Sequence, residues 1–131
     1  MKYSSLFLII ISLLPAVSCR SDLNREVPGG YFIDGIKGDD ENSGASGHPV
    51  RTLARLNQLL SAELKNAYLA GGQVYEGTLI IKDKDAGSGS HVSVSSTGEG
   101  RAVINGGTGE AIRIENCRNI RVSDIDIKGN G

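Results

Sequence analysis

The sequence predicts an all-β protein whose short strands wind about one axis as the coils of a parallel β-helix. In segment 111–131, three pairs of apolar residues alternate with polar ones: Ile112 and Ile114, Ile120 and Val122, Ile125 and Ile127. Side-chain parity holds within each pair but breaks between Val122 and Ile125, so the chain must bend near residues 123–124 to keep all six side chains inward. A chain that bends this often and buries one side throughout must wind around an axis.

Composition favours short strands and argues against a nucleic-acid partner. The 131 residues include 18 glycines and no tryptophan, and the formal net charge is −1. Many glycines, many isoleucines and valines and few aromatic residues are typical of strands joined by tight turns. Because there is neither a basic excess nor a run of stacking aromatic residues, we expect no binding to DNA or RNA.

The first residues carry the pattern of an export signal. Lys2 precedes an apolar run at 6–14, which is shorter than the ~20 residues that a transmembrane helix needs. Small residues at 16–18 then precede Cys19, in the order found in the lipobox of bacterial lipoproteins, where the cysteine becomes the lipidated first residue. We predict a signal peptide at 1–18, lipidation of Cys19 and a lipidated tether at 19–30. The alternative is an ordinary signal peptide with an incidental cysteine.

Lipidation of Cys19 would decide where the protein resides. Several acyl chains, each contributing about 0.8 kcal/mol per buried CH₂, would hold the protein firmly on a membrane. We therefore predict an exported, membrane-anchored lipoprotein of the bacterial cell envelope, at the outer membrane or the cell surface. Cys117 would then be the only other cysteine, and no intramolecular disulfide could form.

Ordered structure is predicted from Tyr31 onward, starting with a cap rich in glycine and acidic residues. Residues Asp39, Asp40, Glu41 and Asn42 cluster the hard oxygen ligands that calcium prefers. Their spacing does not fit an EF-hand, and such side chains more often bond their own backbone in turns. We therefore expect no cofactor, and calcium at 39–42 is the lesser alternative.

One short helix is predicted at 49–60. Its apolar residues recur at helical spacing, and Thr52 is the expected N-cap; the stripe comprises Val50, Leu53, Leu56, Leu59 and Leu60. A short helix with one apolar side must pack that side against another element. We expect it to cover the open end of the β-helix, which would otherwise expose core side chains and unpaired strand edges.

Four further short strands are predicted before the final segment, at 67–70, 74–81, 91–95 and 101–105. Paired glycines and a polar Gly/Ser loop at 83–90 separate them. Val92 and Val94 should point inward. Cys117 follows the predicted strand 111–116, and we expect it to pack as a small hydrophobic side chain, because neither histidine lies near it in sequence.

Six segments occur in one order along the chain: Tyr-Phe-Ile-Asp-Gly at 31–35, a Gly-Asp-rich run at 38–44, Pro-Val-Arg-Thr-Leu at 49–53, and 72–79, 95–100 and 103–107. This order resembles the N-terminal part of secreted right-handed parallel β-helix proteins of the pectate-lyase-like type, many of them lipoproteins of Bacteroidetes. The resemblance implies that 31–131 forms an N-terminal cap and about two coils. At 65–67 the chain has Lys-Asn-Ala where that family usually has a Pro-Gly-Asp turn, so local turn geometry should differ.

The resemblance also implies a chemistry. Members with known activity mostly cleave acidic or plant polysaccharides, as lyases or glycoside hydrolases, at the outer face of sheets in middle coils. Lyase action needs a cation and a Lys or Arg base drawn from several stacked coils. Candidate acids are Asp124 and Asp126 and candidate bases are Arg113 and Arg121, although solvated outward positions explain all four more simply. His48 and His91 are isolated in sequence, so we predict no catalytic residue.

These expectations combine into one functional prediction. A solenoid usually needs about three or more repeats, so two coils suggest the front of a longer protein or the product of a truncated gene, marginally stable alone. We predict the N-terminal portion of a lipid-anchored cell-envelope β-helix protein of the polysaccharide lyase or glycoside hydrolase type, inactive as this fragment. Its partners would be a polysaccharide and, through Cys19, a membrane. The alternative is a non-enzymatic surface β-helix for glycan binding or adhesion.

Overall fold

A computed structural model describes residues 29–129, which fold as a parallel β-helix with one helix against its first coil. The predicted signal peptide 1–18 and the lipidation site Cys19 lie outside the described residues. The predicted tether 19–30 does so too, except for its last two glycines. Gly30 is already the first residue of a strand, so the ordered fold begins one residue before Tyr31.

The secondary structure of residues 29–129 consists of one α-helix and nine short β-strands. The helix α1 spans Leu53–Ala62. In chain order the strands are β1 (Gly30–Ile33), β2 (Asn66–Ala70), β3 (Val74–Glu76), β4 (Leu79–Lys82), β5 (Val92–Thr97), β6 (Ala102–Asn105), β7 (Ile112–Glu115), β8 (Ile120–Val122) and β9 (Ile125–Lys128).

The strands form three sheets, and every pairing is parallel. Sheet A has the order β1-β2-β5-β8, sheet B the order β3-β6-β9 and sheet C contains β4 and β7. The chain thus visits sheets A, B and C in turn at 66–82 and again at 92–115, and it returns to A and B at 120–128. This topology confirms the predicted parallel β-helix with an N-terminal cap and about two coils.

Inward side chains of successive coils stack in columns that form the core. One column contains Tyr31, Ala67, Val94 and Val122, linked by the register of sheet A. In the last coil, Ile114 lies beside the buried Ile81 and Ile127 beside the buried Ile104. The inward parity predicted for segment 111–131 is therefore confirmed. Ile114 and Ile127 are nevertheless 42% and 57% exposed, because no residue of the described range packs on their outer side.

The bend predicted at 123–124 is a single left-handed residue. Asp124 has φ 56° between β8 and β9, which resets the side-chain parity from Val122 to Ile125. The corner after sheet C uses the same device, since Asp83 and Asn116 have φ 54° and 48°. Their side chains stack on consecutive coils, and Asn116 Nδ2 donates to Asp83 Oδ1 at 2.8 Å. Asx side chains tolerate this conformation because they hydrogen-bond locally.

The helix begins later than the apolar stripe predicts. Thr52 is the N-cap, as expected, and its Oγ1 accepts from the Arg55 N–H at 3.2 Å, but residues 49–51 lie outside the helix. Val50 instead forms a parallel bridge with Ile33 and is fully buried. The prediction of a helix over 49–60 was therefore wrong at its start, because a buried valine fits a strand as well as it fits the apolar stripe of a helix.

The predicted strand 74–81 is two strands that belong to different sheets. Gly77 has φ 113° and turns the chain from β3 in sheet B to β4 in sheet C. Burial does not reveal the break, because Tyr75 in β3 and Leu79 and Ile81 in β4 are all buried with the same alternating parity. The continuous apolar pattern of 74–81 therefore hid a corner.

Helix α1 packs on β1 and β4 with Leu53, Leu56 and Leu60 buried, which places it at the N-terminal end of the β-helix as predicted. The free edge of β4 faces this helix, and the Asn57 side chain hydrogen-bonds the backbone groups of that edge. Asn57 Nδ2 donates to the Thr78 carbonyl at 2.8 Å, and Asn57 Oδ1 accepts from the Ile80 N–H at 2.9 Å. The side chain therefore replaces the neighbouring strand that this edge lacks.

Candidate functional site

The two candidate acids are held by an arginine of the preceding coil. Arg101 Nη2 lies 3.7 Å from Asp124 Oδ1, and Arg101 Nη1 lies 3.3 Å from Asp126 Oδ1. All three side chains are exposed, at the corner between sheets A and B. Exposed ion pairs of this kind contribute little stability, ~0–1 kcal/mol each. Asp124 and Asp126 therefore lie close together, but both are paired with Arg101 and face open solvent.

Arg113, the first candidate base, is paired with two acids that lie close to it in the chain. Its Nε donates to Glu110 Oε2 at 2.6 Å and lies 3.6 Å from Glu115 Oε1. The Glu110 hydrogen bond and charge raise the pKa of Arg113 above its usual value. A general base needs the opposite shift, toward a proton affinity near the working pH. Arg113 therefore has the environment of a surface ion pair.

Arg121, the second candidate base, lies on sheet A and away from Arg113 on sheet C. It projects outward from β8, opposite Ser93, and it borders a shallow depression beside His91. Both side chains are exposed. The structure therefore does not bring Arg113, Arg121, Asp124 and Asp126 together at one point where a sugar could be cleaved.

The acidic run 39–42 organises the cap through its own hydrogen bonds. Asp39 Oδ1 accepts from the Glu41 N–H at 2.9 Å, and Asn42 Nδ2 donates to the Pro49 carbonyl at 2.9 Å. Both carboxylate oxygens of Asp40 are engaged across the cap, by the N–H groups of Arg51 and Thr52 and by the Thr52 hydroxyl. Burial acts to raise the Asp40 pKa, but these hydrogen bonds outweigh it and lower the pKa.

No group of three or more His, Cys, Asp or Glu side chains within 29–129 has the arrangement of a metal centre. Asp40 Oδ1 accepts from the N–H groups of Arg51 and Thr52, and Asp40 Oδ2 accepts from the Thr52 hydroxyl, so both oxygens are engaged by groups of the cap itself. His48 is exposed in the cap. Cys117 is half-buried against the core, with Sγ 3.1 Å from the Glu115 carbonyl, as expected for a small apolar side chain.

A polar cluster of Asp34, Gln73 and Tyr75 joins the cap to the first full coil. Gln73 Nε2 donates to Asp34 Oδ1 at 2.9 Å, and Gln73 Oε1 accepts from the Gly35 N–H at 2.7 Å. The buried Tyr75 hydroxyl lies 3.2 Å from the Ile33 carbonyl and 3.1 Å from the Ala70 carbonyl. Burial is the main cause that raises the pKa of Tyr75 to about 12, so it stays protonated as a structural donor.

The outer face of sheet A carries an aromatic pair that the sequence pattern did not reveal. Phe32 on β1 and Tyr68 on β2 are register partners, with ring centroids 4.9 Å apart and planes inclined by 30°. Ser95 on β5 is the next residue of the same outward column, and Ser123 follows β8 at the equivalent place. We call Phe32, Tyr68, Ser95 and Ser123 the outer column.

Part of the outer column could have been recognised from the sequence. Phe32 and Tyr68 each stand between two inward residues of a short strand, so both are outward by parity alone. The alternation does not give the register of β1 against β2, because the cap and the helix separate Phe32 from Tyr68 in the chain. Only the pairing of β1 with β2 brings them into contact.

A second concave feature lies between helix α1 and strand β4. This groove of about 480 Å³ is lined by three apolar residues, Leu60, Ile80 and Ile81, and by four polar ones, Asn57, Gln58, Ser61 and Lys82. Asn57 is already committed to the edge of β4, and Ile80 is 38% exposed. The groove thus offers apolar surface and few free polar groups, which suits a packing partner better than a sugar.

Within residues 29–129 no helix is long and apolar enough to cross a membrane. The three parallel sheets and the helical cap define these residues as a segment of a parallel β-helix protein. No family model matches the sequence, and no curated protein matches it.

Solved structures that share the fold belong to a glycoside hydrolase. They are the GH136 lacto-N-biosidase from Eubacterium ramulus as a selenomethionine derivative, with TM-score 0.66, and as the native protein, with TM-score 0.65. Both are 21% identical to this chain, and the matches cover 76% and 77% of it. In each case the match covers 20% of the hydrolase, so the chain spans about a fifth of the length of these structures. At this identity the likeness establishes the parallel β-helix fold.

Proposed function

We propose that this chain forms the capped N-terminal segment of an exported, lipid-anchored β-helix protein that acts on glycans at the bacterial cell envelope. One observation carries the proposal: the described fold superimposes on a fifth of a GH136 lacto-N-biosidase with a TM-score of 0.66. The resemblance of segments 31–107 to pectate-lyase-like lipoproteins supports the same general role. In this proposal the polysaccharide lyase or glycosidase centre is built from coils beyond those described.

The described residues contribute a scaffold to this role and no catalytic set. Asp124 and Asp126 share one ion-pair partner, Arg101, and Arg113 is paired with Glu110. A glycosidase needs two carboxyl groups on either side of one bond, about 5–10 Å apart and with different pKa values. We infer that the chain alone binds glycans without cleaving them.

A non-enzymatic surface β-helix for glycan binding or adhesion is the second candidate. It is favoured by the outer column, where Ser95 and Ser123 follow Phe32 and Tyr68 and place hydroxyls beside aromatic rings. The coding sequence downstream of residue 131 separates the two candidates. Further coils with outward Asp or Glu beside Lys or Arg support an enzyme, and coils with only outward Asn, Ser and Thr support a binder.

The glycan proposal is tested with two probes of different charge. The purified chain is titrated with lacto-N-biose, a neutral disaccharide, and with trigalacturonate, an acidic trisaccharide, and release of products is followed in parallel. We expect binding of at least one probe and turnover of neither. Cleavage by this chain would contradict its proposed inactivity, and failure to bind either probe would contradict the glycan role.

The anchoring proposal has its own test and its own matched control. Cells expressing the full chain are grown with labelled palmitate, and the label on the protein is measured. Cys19→Ala should abolish the label, because the thiol is the acceptor, and Cys117→Ala should keep it, because that side chain packs against the core. Equal labelling of Cys19→Ala and the unmodified chain would refute lipidation at Cys19.

A further inference from the structure

The outer column on sheet A changes abruptly from large rings to small hydroxyls. Phe32 and Tyr68 stack on each other, but the next register position is Ser95 and the one after it is Ser123. Neighbouring strands of a sheet lie about 4.8 Å apart, which is close to the thickness of one ring plus its contact distance. A serine side chain is much smaller than a tyrosine ring, so Ser95 does not continue the stack over the Tyr68 face that points away from Phe32.

We call the step from the Tyr68 ring to the smaller Ser95 side chain the notch, with Tyr68 as its floor. Tyr68 and Ser95 are each partly exposed, so the notch opens to solvent. Tyr68 is held from below by Phe32 and also leans over Gly30, whose Cβ, if present, would lie 2.9 Å from the tyrosine ring. The ring is therefore positioned before any ligand arrives, which reduces the entropy lost on binding.

Polar side chains follow Tyr68 on the outward face of sheet A. Ser95 and Ser123 provide hydroxyls that can donate and accept, and Arg121 on the neighbouring outward column provides a fork of donors. Arg121 has no carboxylate within ion-pair distance among residues 29–129, unlike Arg101 and Arg113. An aromatic ring with hydroxyl and guanidinium groups on the same sheet face has the composition of a small polar-ligand site.

We propose that Tyr68, Ser95 and Ser123 form a stacking subsite for one pyranose ring of a glycan chain, with Arg121 at its rim. The subsite deepens the proposed glycan function and rests on it. The C–H face of the sugar lies on the electron-rich face of Tyr68 and continues the stack that Phe32 begins. The sugar hydroxyls exchange hydrogen bonds with the two serines. The glycan thereby contacts the first coils on the outer face of sheet A.

Two variants of the full chain, kept in detergent, test the subsite from opposite directions. Tyr68→Ala removes the floor, and affinity measured by calorimetry should fall about tenfold or more, as expected for a central aromatic contact. Ser95→Tyr fills the notch with a third ring, which continues the aromatic column and should leave thermal stability equal or higher. Binding should be lost in this variant although the fold is intact.

Two controls separate the ring itself from general surface effects. Tyr68→Phe keeps the stacking face and should bind nearly as well as the unmodified chain. Val74→Ala shortens an exposed apolar side chain on the outward face of sheet B, outside the outer column, and should not change affinity. Lacto-N-biose and trigalacturonate are the probes, so binding of one alone also assigns the sugar as neutral or acidic.

The outcomes distinguish failure of the subsite from failure of the glycan role. Weakened binding in Tyr68→Ala and Ser95→Tyr, with the two controls unchanged, supports the subsite. A chain that binds sugar with equal affinity in all five forms overturns the subsite and leaves the glycan function standing. An unmodified chain that binds neither probe overturns both.

Discussion

The side chain of Asn57 hydrogen-bonds the backbone of Ile80 as a neighbouring strand would, with Oδ1 accepting from the N–H at 2.9 Å. Its Nδ2 donates to the Thr78 carbonyl at 2.8 Å, so one amide satisfies both kinds of group on the edge of β4. A helix thereby closes a sheet edge that would otherwise be available for association with other chains. The pair links the cap to the first full coil and explains why one short helix can end a β-helix.

Replacement of Asn57 should therefore destabilise the whole segment. Asn57→Ala leaves one backbone donor and one acceptor on β4 without their partner, and the free energy of unfolding should fall by about 1–3 kcal/mol. Denaturant titration followed by circular dichroism measures this change. Ser61→Ala, an exposed change on the same helix, is the matched control and should stay within about 0.5 kcal/mol of the unmodified chain. Equal stability of the two variants would contradict the edge-capping role.

Gly71 marks a close approach between consecutive coils. A Cβ at this position would collide with the carbonyl oxygens of Gly100 and Glu99, which are backbone atoms and cannot move aside. Gly71→Ala should lower the free energy of unfolding by about 1–3 kcal/mol in a denaturant titration, as overpacking does elsewhere. Gly47→Ala is the control, because a Cβ added there would meet no atom within 4 Å. A Gly71→Ala variant as stable as Gly47→Ala would show that the two corners are not in contact.

Tyr75 should impose an alkaline limit on stability. Burial raises its pKa from the ordinary 10.0 to about 12, so the folded chain holds this proton at pH values where the unfolded chain has released it. Its stabilising effect is thus complete below pH 10.0 and is lost as the pH rises through about 12. Tyr75→Phe should be less stable by ~1 kcal/mol at neutral pH. Denaturant titrations at several pH values should show this difference shrinking above pH 10.0; a constant difference would refute the assignment.

Asp40 should impose the corresponding acid limit. Burial acts to raise its pKa, but hydrogen bonds from Thr52 and Arg51 outweigh burial and hold the pKa below the ordinary 3.8. Its contribution is therefore present above pH 3.8 and is lost as the pH falls further. Asp40→Asn should be less stable than the unmodified chain at neutral pH, and the difference, measured by denaturant titration, should narrow in acid. Asp39→Asn, which changes a local turn acceptor only, is the comparison. If the free energies of unfolding of Asp40→Asn and Asp39→Asn change in the same way with pH in acid, Asp40 does not set the acid limit.

The repeating part of the fold could be predicted because its signal is local. Alternation within β7, β8 and β9 defines the inward side, and the parity break at Ser123 and Asp124 requires the bend that the structure contains. The start of the helix could not be predicted from the same signal. Val50 fits the helical stripe, but it is drawn into the core beside Ile33, and Asp40 holds the backbone of the two residues that follow it.

The candidate site depends on register, which the sequence pattern does not contain. Phe32 meets Tyr68, and Arg101 meets Asp124 and Asp126, only because the intervening corners have particular lengths. The candidate acids and bases chosen from the sequence were all outward, as expected, but the partner of Asp124 and Asp126 lies on the preceding coil. The outward direction of a side chain can therefore be predicted from the alternation in its own strand. The contacts that build a site cannot, because they depend on the register between coils.

A crystal structure of the chain soaked with lacto-N-biose or trigalacturonate would show directly whether the outer column binds a sugar. We predict one pyranose ring stacked on the Tyr68 face opposite Phe32, with sugar hydroxyls within hydrogen-bond distance of Ser95 and Ser123. A sugar bound instead in the groove between α1 and β4, or crystals in which neither sugar binds, would contradict the assignment of the outer column as a glycan subsite.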